Sequence, residues 1–527
     1  MLMCVPMLAS MDPWSPRAGR RLLCIASFDN ATYISVTNPT QPAMTRSLLV
    51  AAAILVMTTV ALSQTEGSAF LHSGKAVSTT FATDYQAIGI NPANLGWSGK
   101  YEGKKMAFGL LEVGSSLYSD ALTKDELKDN FLGGADITFN YAEKQAAAKA
   151  FSGKDFTTNI DVRSLGFSIS TPKAGGFAFQ IADRLQWWSN FNQQTSDILF
   201  MGRNAAYFDL LVLSTGDTVA NDASLTNEQR ALGVRGLSSN ASNISAIMNG
   251  SAITHQWVRE YSVAWGYLLG TSGAWNFYGG LSARYLQGLG MMEIRSEGGT
   301  LTAFSALSPG YDIDYGTAAL ANPSALNGSG FQSVGSGFSG DVGFSAEILG
   351  KAKFGLSYTN IGSITWDGNV YEAYDDKLFG LDSDGFDSYN FFEEADQIAS
   401  DEGILKWKGL KEKVVQMPSQ LRTGASFKIK EKTEIGIDVV VPTNDAPGNY
   451  ESPMFAVGGE FAVLKFMSLN TGVATGGMYK TLVPFGLNFH LPSGSWEAGV
   501  ATRDITTMFT QEPGMVSYCF GFLRFRI

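Results

Sequence analysis

Charge is scarce in this chain. Only 17% of its 527 residues are charged, where a soluble protein usually carries about 25%. Cysteine is scarcer still: Cys4, Cys24 and Cys519 are the only three, too few for a disulfide scaffold. Cationic excess is missing too. A net charge of −11 and a pI near 4.9 repel phosphate and exclude nucleic acid as a partner. What stands in place of charge is glycine, with 58 residues, and aromatics at 12%. That composition is wrong for a disordered chain.

Long apolar runs are also absent, with one exception. Ser47–Leu62 follows Thr45-Arg46 and ends in small residues, with Ala61 and Ser63 at the −3 and −1 positions of a cleavage site. This is the layout of a secretory signal peptide over 44–63, cut before Gln64 and started at Met44. Residues 1–43 then read as a non-native upstream extension, with a genuine leader as the alternative. A mature chain with one cysteine makes no internal disulfide, and one without a spanning helix reaches a membrane only as a closed barrel.

Alternation of period two supplies the strands. Tyr261, Val263, Trp265, Tyr267 and Leu269 share one face, and Glu260, Ser262, Ala264 and Gly266 the other. Similar patterns recur at 275–290, 334–349, 433–443 and 479–491. In all, strands are expected near 105–117, 157–170, 176–188, 253–269, 275–290, 334–349, 353–366, 416–429, 433–443, 453–464, 466–475, 479–491, 495–504 and 515–527. Their connections alternate between tight turns and long links, the latter at about 118–156, 189–252, 291–333 and 367–415. Short periplasmic turns and long external loops are the mark of an outer-membrane barrel. The expected fold is therefore all-β: a transmembrane antiparallel β-barrel of about 14 strands over 105–527, preceded by a hatch at 64–104. Trp187, Trp188 and Trp257 near one rim, and Trp275 and Trp496 near the other, read as two aromatic girdles. Short loop helices are expected at 122–132 and 146–150.

Three stretches carry a resemblance. Asp84 to Gly96, with Asn91-Pro92-Ala93 at its centre, resembles the Asn-Pro-Ala hatch segment of the long-chain fatty-acid transporter superfamily of outer-membrane barrels. Arg284–Gly288, Gly340–Gly343 and Asn360–Trp366, and then Thr502–Ile505 with the terminal Gly521–Ile527, are similar to an uncharacterised Bacteroidetes-type outer-membrane family related to that superfamily. The resemblance spans roughly 80–527. It implies a plugged outer-membrane channel for uptake of small, hydrophobic compounds. It also leaves open an alternative: a barrel that holds a secreted or surface protein, as an accessory to secretion, without transport. Outer-membrane lipid and the barrel-assembly machinery are the partners implied, and no cofactor is. Oligomeric state is not legible.

Catalytic signals are weak. His72, His255 and His490 are scattered over separate segments, and no nucleophile elbow or His-Glu-x-x-His pair occurs. Gly335–Gly340 matches a Gly-x-Gly-x-x-Gly pattern but continues as a strand, not as the helix a nucleotide site needs. Asp382, Asp384 and Asp387 around a glycine are a weak calcium candidate, lacking the distal bidentate glutamate. The lumen face collects Arg184, Glu260, Arg284, Asp341, Glu347, Arg422, Asp438, Glu460, Glu497, Arg503 and Arg524. Mixed signs in a confined space point to an ion-pair network across the barrel that anchors the hatch or tunes passage.

Overall fold

The computed structural model describes residues 70–527 except 71, 98–102, 132–137, 392–393, 401–402, 431–432, 451, 478 and 513, together with three short strands nearer the start. Those strands, Met3–Val5, Leu23–Phe28 and Ala31–Ser35, form an antiparallel sheet within a unit of their own, Met1–Thr59. The signal-peptide residues 44–63, the expected cleavage point and the first hatch residues 64–69 lie outside the described residues.

The second unit, Val60–Ile527, contains a closed antiparallel barrel. Its staves are β1 (Met106–Ser119), β2 (Asp155–Thr171), β3 (Gly175–Asn190), β4 (Ala252–Ser272), β5 (Trp275–Glu297), β6 (Gly335–Ile348) and β7 (Ala352–Trp366). They continue as β8 (Gln420–Lys430), β9 (Thr433–Pro442), β10 (Met454–Leu464), β11 (Met467–Gly476), β12 (Phe485–His490), β13 (Trp496–Thr502) and β14 (Gly514–Arg526). Neighbours in sequence are neighbours in space, and β14 closes on β1 through pairs such as Val516↔Leu117. The chain is thus a transmembrane antiparallel β-barrel of fourteen strands. Among the described residues, no helix is long and apolar enough to cross a membrane.

Side chains sort by parity, as a pleated strand requires. On β4, Val263 is 54% and Trp265 40% exposed, while Ala264 between them and Ser262 and Glu260 before them are buried. Phe344 and Ile437 point outward on β6 and β9, and Phe485 is half-exposed on β12. Val263→Arg and Ile437→Arg should each cost about 2–4 kcal/mol of folding stability in lipid, the price of a cation near the bilayer midplane. Denaturant titration in vesicles checks this; two negligible shifts would contradict the facing.

The structure corrects the sequence reading in three places. The expected strand 479–491 is broken into Tyr479–Leu482 and Phe485–His490. Pro484 sits at the break, where it has no N–H to give a ladder. The β4–β5 turn is tighter than expected, because Ser272 pairs directly with Trp275. Trp187 belongs to no girdle. It is buried and stacks on Phe391 at 5.9 Å between ring centres.

That stacking introduces the largest departure from plain loops. At the loop end the long links fold into a cap with its own hydrophobic core. Helices Lys124–Phe131, Tyr141–Phe151 and Gln193–Met201 contribute Leu127, Phe151 and Phe200. Asn140 caps the second helix in a reciprocal box with Glu143. β5 rises past the barrel wall into a hairpin with Thr300–Leu307, and Val370–Tyr374 extends that sheet. A small sheet of 380–381, 233–237, 210–213 and 218–220 completes the cap.

Candidate functional site

The barrel interior is occupied by the chain's own N-terminal segment. Residues 70–97, apart from 71, run as one helical turn, His72–Lys75, and two short 3-10 turns, Asp84–Ala87 and Pro92–Gly96, joined by irregular backbone. Asn91 caps the second turn: its Oδ1 accepts from Ala93 N at 3.2 Å, and Pro92 holds the first helical position. The other end of the same amide reaches the barrel wall, donating from Nδ2 to Ser345 Oγ at 2.9 Å and Phe344 O at 3.3 Å. Asn94 donates to Thr79 O and Ala82 O at 3.0 and 2.8 Å, and accepts from Ser345 Oγ at 2.8 Å. Asn91, Pro92 and Ala93 are all buried. Asn and Pro here are structural punctuation that satisfies backbone groups no water reaches.

Charged grips hold the segment from several sides. Asp438 takes both backbone N–H groups and both hydroxyls of Ser78 and Thr79, at 2.6–3.1 Å. Arg422 donates to Ser78 Oγ at 3.1 Å. Lys75 pairs with Glu460 at 2.6 Å. Arg524 bridges Asp84 at 2.8 Å and Glu497 at 3.0 Å. On the adjoining stave, Glu112 accepts from the Tyr85 hydroxyl and from Gln86 Nε2, and pairs with Arg163 at 2.7 Å. Gly89, at φ +79°, donates its N–H to Asp341 at 3.2 Å. A side chain at Gly89 would press on the guanidinium groups of Arg284 and Arg184.

The expected lumen charges therefore fall into distinct groups. Arg184 pairs with Glu260 at 3.4 Å and Asp161 at 3.9 Å; Arg284 pairs with Asp341 and lies 4.0 Å from Glu260. Glu347 accepts from the Tyr278 hydroxyl at 3.0 Å. Arg503 lies buried just past β13, its backbone N–H held by Ser517. Glu112, Arg163, Asp161, Lys75, Asp84 and the pair Lys353–Glu434 at 3.0 Å complete the network and were not among the expected residues.

Glycine makes the fit possible. Each stave contributes one lumen-facing glycine against the segment, and a Cβ on any of them would crowd it. Gly109 and Gly166 meet Tyr85; Gly176, Gly266 and Gly280 meet the Pro92–Gly96 turn; Gly343 and Gly355 meet Asn91. Gly424 meets Thr79 and Gly436 meets Phe81; Gly458 and Gly472 meet the Lys75 carbonyl; Gly486 meets Gly74; Gly499 and Gly521 meet Phe70. Several are direct neighbours across the ladder, as in Gly176↔Gly266↔Gly280↔Gly343. None has positive φ, so the backbone does not demand glycine there; the space does.

A second intrusion comes from the loop end. The β9–β10 connection is stapled at its base by Asn444 Nδ2 to Met417 O at 2.8 Å and by Asn449 Nδ2 to Ser419 O at 3.1 Å. Its tip crosses the barrel: a Cβ on Gly448 would strike the Gln186 side chain of β3, on the opposite wall. At the turn end, a cavity of about 360 Å³ opens between the segment and the rim, lined among others by Phe70, Phe81, Lys105, Lys353, Lys428 and Arg526.

The wall itself is irregular where β14, β1 and β2 meet. Leu111 of β1 has φ +50°, and neither it nor Ser164 of β2 joins the ladder between Leu110↔Leu165 and Glu112↔Arg163. β14 skips from Phe520↔Val113 to Leu523↔Leu110 at the same depth. Bulges of this kind bend a strand and re-aim its side chains.

The histidines are not brought together. His255, near the loop end, contacts Gln186 O at 3.0 Å and the Tyr311 hydroxyl at 2.7 Å. His490 ends β12 at the turn end, and the side chain of His72 lies outside the described residues. The three loop carboxylates also diverge, each onto a different cation: Asp382 to Arg235 at 3.3 Å, Asp384 to Arg203 at 2.5 Å and Asp387 to Lys144 at 2.6 Å. Among the described residues, no group of three or more His, Cys, Asp or Glu side chains is placed to hold a metal ion.

Fold and interior together define a class: a transmembrane barrel whose lumen is packed with its own leading segment. No protein-family model matches the chain, and no curated protein matches it. Among solved structures it is similar to the Pseudomonas putida toluene transporter TodX, with TM-score 0.40 and 10% identity over 88% of this chain and 99% of that one. It is similar to the Ralstonia pickettii toluene transporter TbuX, at 0.38 and 13% over 88% and 99%. A Pseudomonas aeruginosa FadL homologue gives 0.39 and 11% over 88% and 97%. The fourteen-strand architecture rests on the strand pairing itself.

Proposed function

We propose that this barrel is an outer-membrane channel for uptake of small, hydrophobic compounds, held closed by residues 64–97. The observation that carries the reading is the glycine ring: every stave gives up its side chain to seat the segment. A segment kept merely as a tether would not need contact with the whole circumference. The grips on it are polar and ionic, and between them the segment also buries apolar side chains such as Phe81, Ile88, Ile90 and Leu95. The lumen wall is polar as well, and an apolar solute would leave it sideways. The irregular junction of β14, β1 and β2 suits that exit, because Glu112 beside it holds Tyr85 and Gln86 of the segment. Movement of the segment would then loosen the wall where its ladder is already interrupted.

Current through planar bilayers tests this. Protein lacking residues 64–97 should conduct far more than the full chain while its barrel keeps heat-modifiable gel mobility. Conductance at the parent level would remove the segment as a plug. The alternative would then lead: a barrel that holds a secreted or surface protein, which the folded cap, with a core of its own, would suit.

A further inference from the structure

The chain carries a net charge of −11, yet its turn end is basic. Lys173 lies in the β2–β3 turn, Lys351 in the β6–β7 turn, Lys430 at the end of β8 and Lys465 in the β10–β11 turn; Lys105 precedes β1. All five are exposed, and none makes an ion pair among the described residues. The described residues of these turns include no acid, and Glu431 and Lys432 between β8 and β9 add one charge of each sign in the sequence. The acids nearest this end, Glu347, Glu434 and Glu497, face inward and are engaged by the Tyr278 hydroxyl, Lys353 and Arg524. Nothing in the fold needs uncompensated lysines here; folding alone would be served by uncharged turn residues such as the Pro492-Ser493-Gly494 of the β12–β13 turn.

Just inside the lysines stands a belt of exposed aromatics, including Trp275, Phe354, Phe427 and Phe466. Aromatics at such positions mark the membrane–water interface. An ammonium one to three residues beyond Phe354, Phe427 or Phe466, on a long flexible stem, reaches the level of lipid phosphates. The geometry points to a collar for anionic phospholipid headgroups in the leaflet that faces the short turns. The occupant is read from the distribution. The lysines follow β2, β6, β8 and β10 and precede β1, so they surround the barrel, as an annulus of lipid does. A globular acidic partner would need them gathered in one sector. The inference rests on the transmembrane fold and is independent of what the lumen passes.

Native mass spectrometry of the full chain, extracted from vesicles of equal phosphatidylglycerol and phosphatidylcholine, provides the test. Each lysine near a charged surface favours an anionic headgroup by about fivefold, so retained lipid should be enriched in phosphatidylglycerol by at least that ratio. Lys173→Gln, Lys351→Gln, Lys430→Gln and Lys465→Gln combined should bring the ratio to parity with folded-barrel gel mobility unchanged. The four arginine replacements should keep it. Parity in the parent protein, or undiminished enrichment in the glutamine variant, would overturn the collar.

Discussion

Valine at Gly280 or Gly458 should destabilise the full-length barrel by about 1–3 kcal/mol, the usual cost of forcing extra atoms into a packed interior. The same substitutions should be neutral or mildly favourable once residues 64–97 are removed. Valine suits a strand better than glycine does, and both positions have ordinary extended backbone. What valine meets is the segment: Pro92 and Ala93 at Gly280, and the Lys75 carbonyl at Gly458. The sign change between the two backgrounds is the decisive quantity, because it isolates the coupling between stave and segment. Denaturant titrations of both backgrounds in the same lipid measure it. Equal destabilisation with and without the segment would show that these glycines serve the barrel wall and not its filling.

Removal of the Asp341 carboxylate should cost more. Asp341→Ala strands Arg284, which is fully buried, and also takes the acceptor from the N–H groups of Asn360 and Gly89. Breaking one side of a buried pair typically costs about 3–5 kcal/mol, since the remaining charge has nowhere to go. Pairing Asp341→Ala with Arg284→Met should recover part of the loss. The recovery should be incomplete, because the two backbone N–H groups stay without their acceptor. A single variant as stable as the parent would mean that Glu260, 4.0 Å from Arg284, compensates alone.

Strand positions were legible because the membrane enforces them. One face must be apolar and the other must not, so Val263 and Ser262 announce their sides without help from tertiary contacts. Charges such as Arg284, Asp341 and Asp438 were legible for the same reason. Glu112 and Arg163 were not, and the bulge explains it. Leu110-Leu111-Glu112 breaks the alternation, because Leu111 takes up an extra residue with positive φ. Lys75 and Asp84 were hidden differently: the segment has no period of its own, and its side chains are ordered by a wall assembled from the rest of the chain. Trp187 looked like a girdle residue from its place at a strand end, but its setting is the cap core, built from links whose packing leaves no periodic trace.

The reach of the segment bears on the order in which the molecule assembles. Asp84 bonds Arg524 across 440 residues of chain, and Phe70 sits between Gly499 and Gly521 on the last two staves. An early part of the chain thus finds its final partners in a much later one. Until β13 and β14 are in place, the segment has lost its clasp on one side and its main countercharge, whatever it has gained from β1 to β12. Closing so long a loop adds little entropy beyond a loop of half that length, so the delay comes from waiting for partners and not from distance. Seam closure between β14 and β1 and the seating of the segment share residues around Glu112 and Arg524. The two events are therefore coupled through the residues they share.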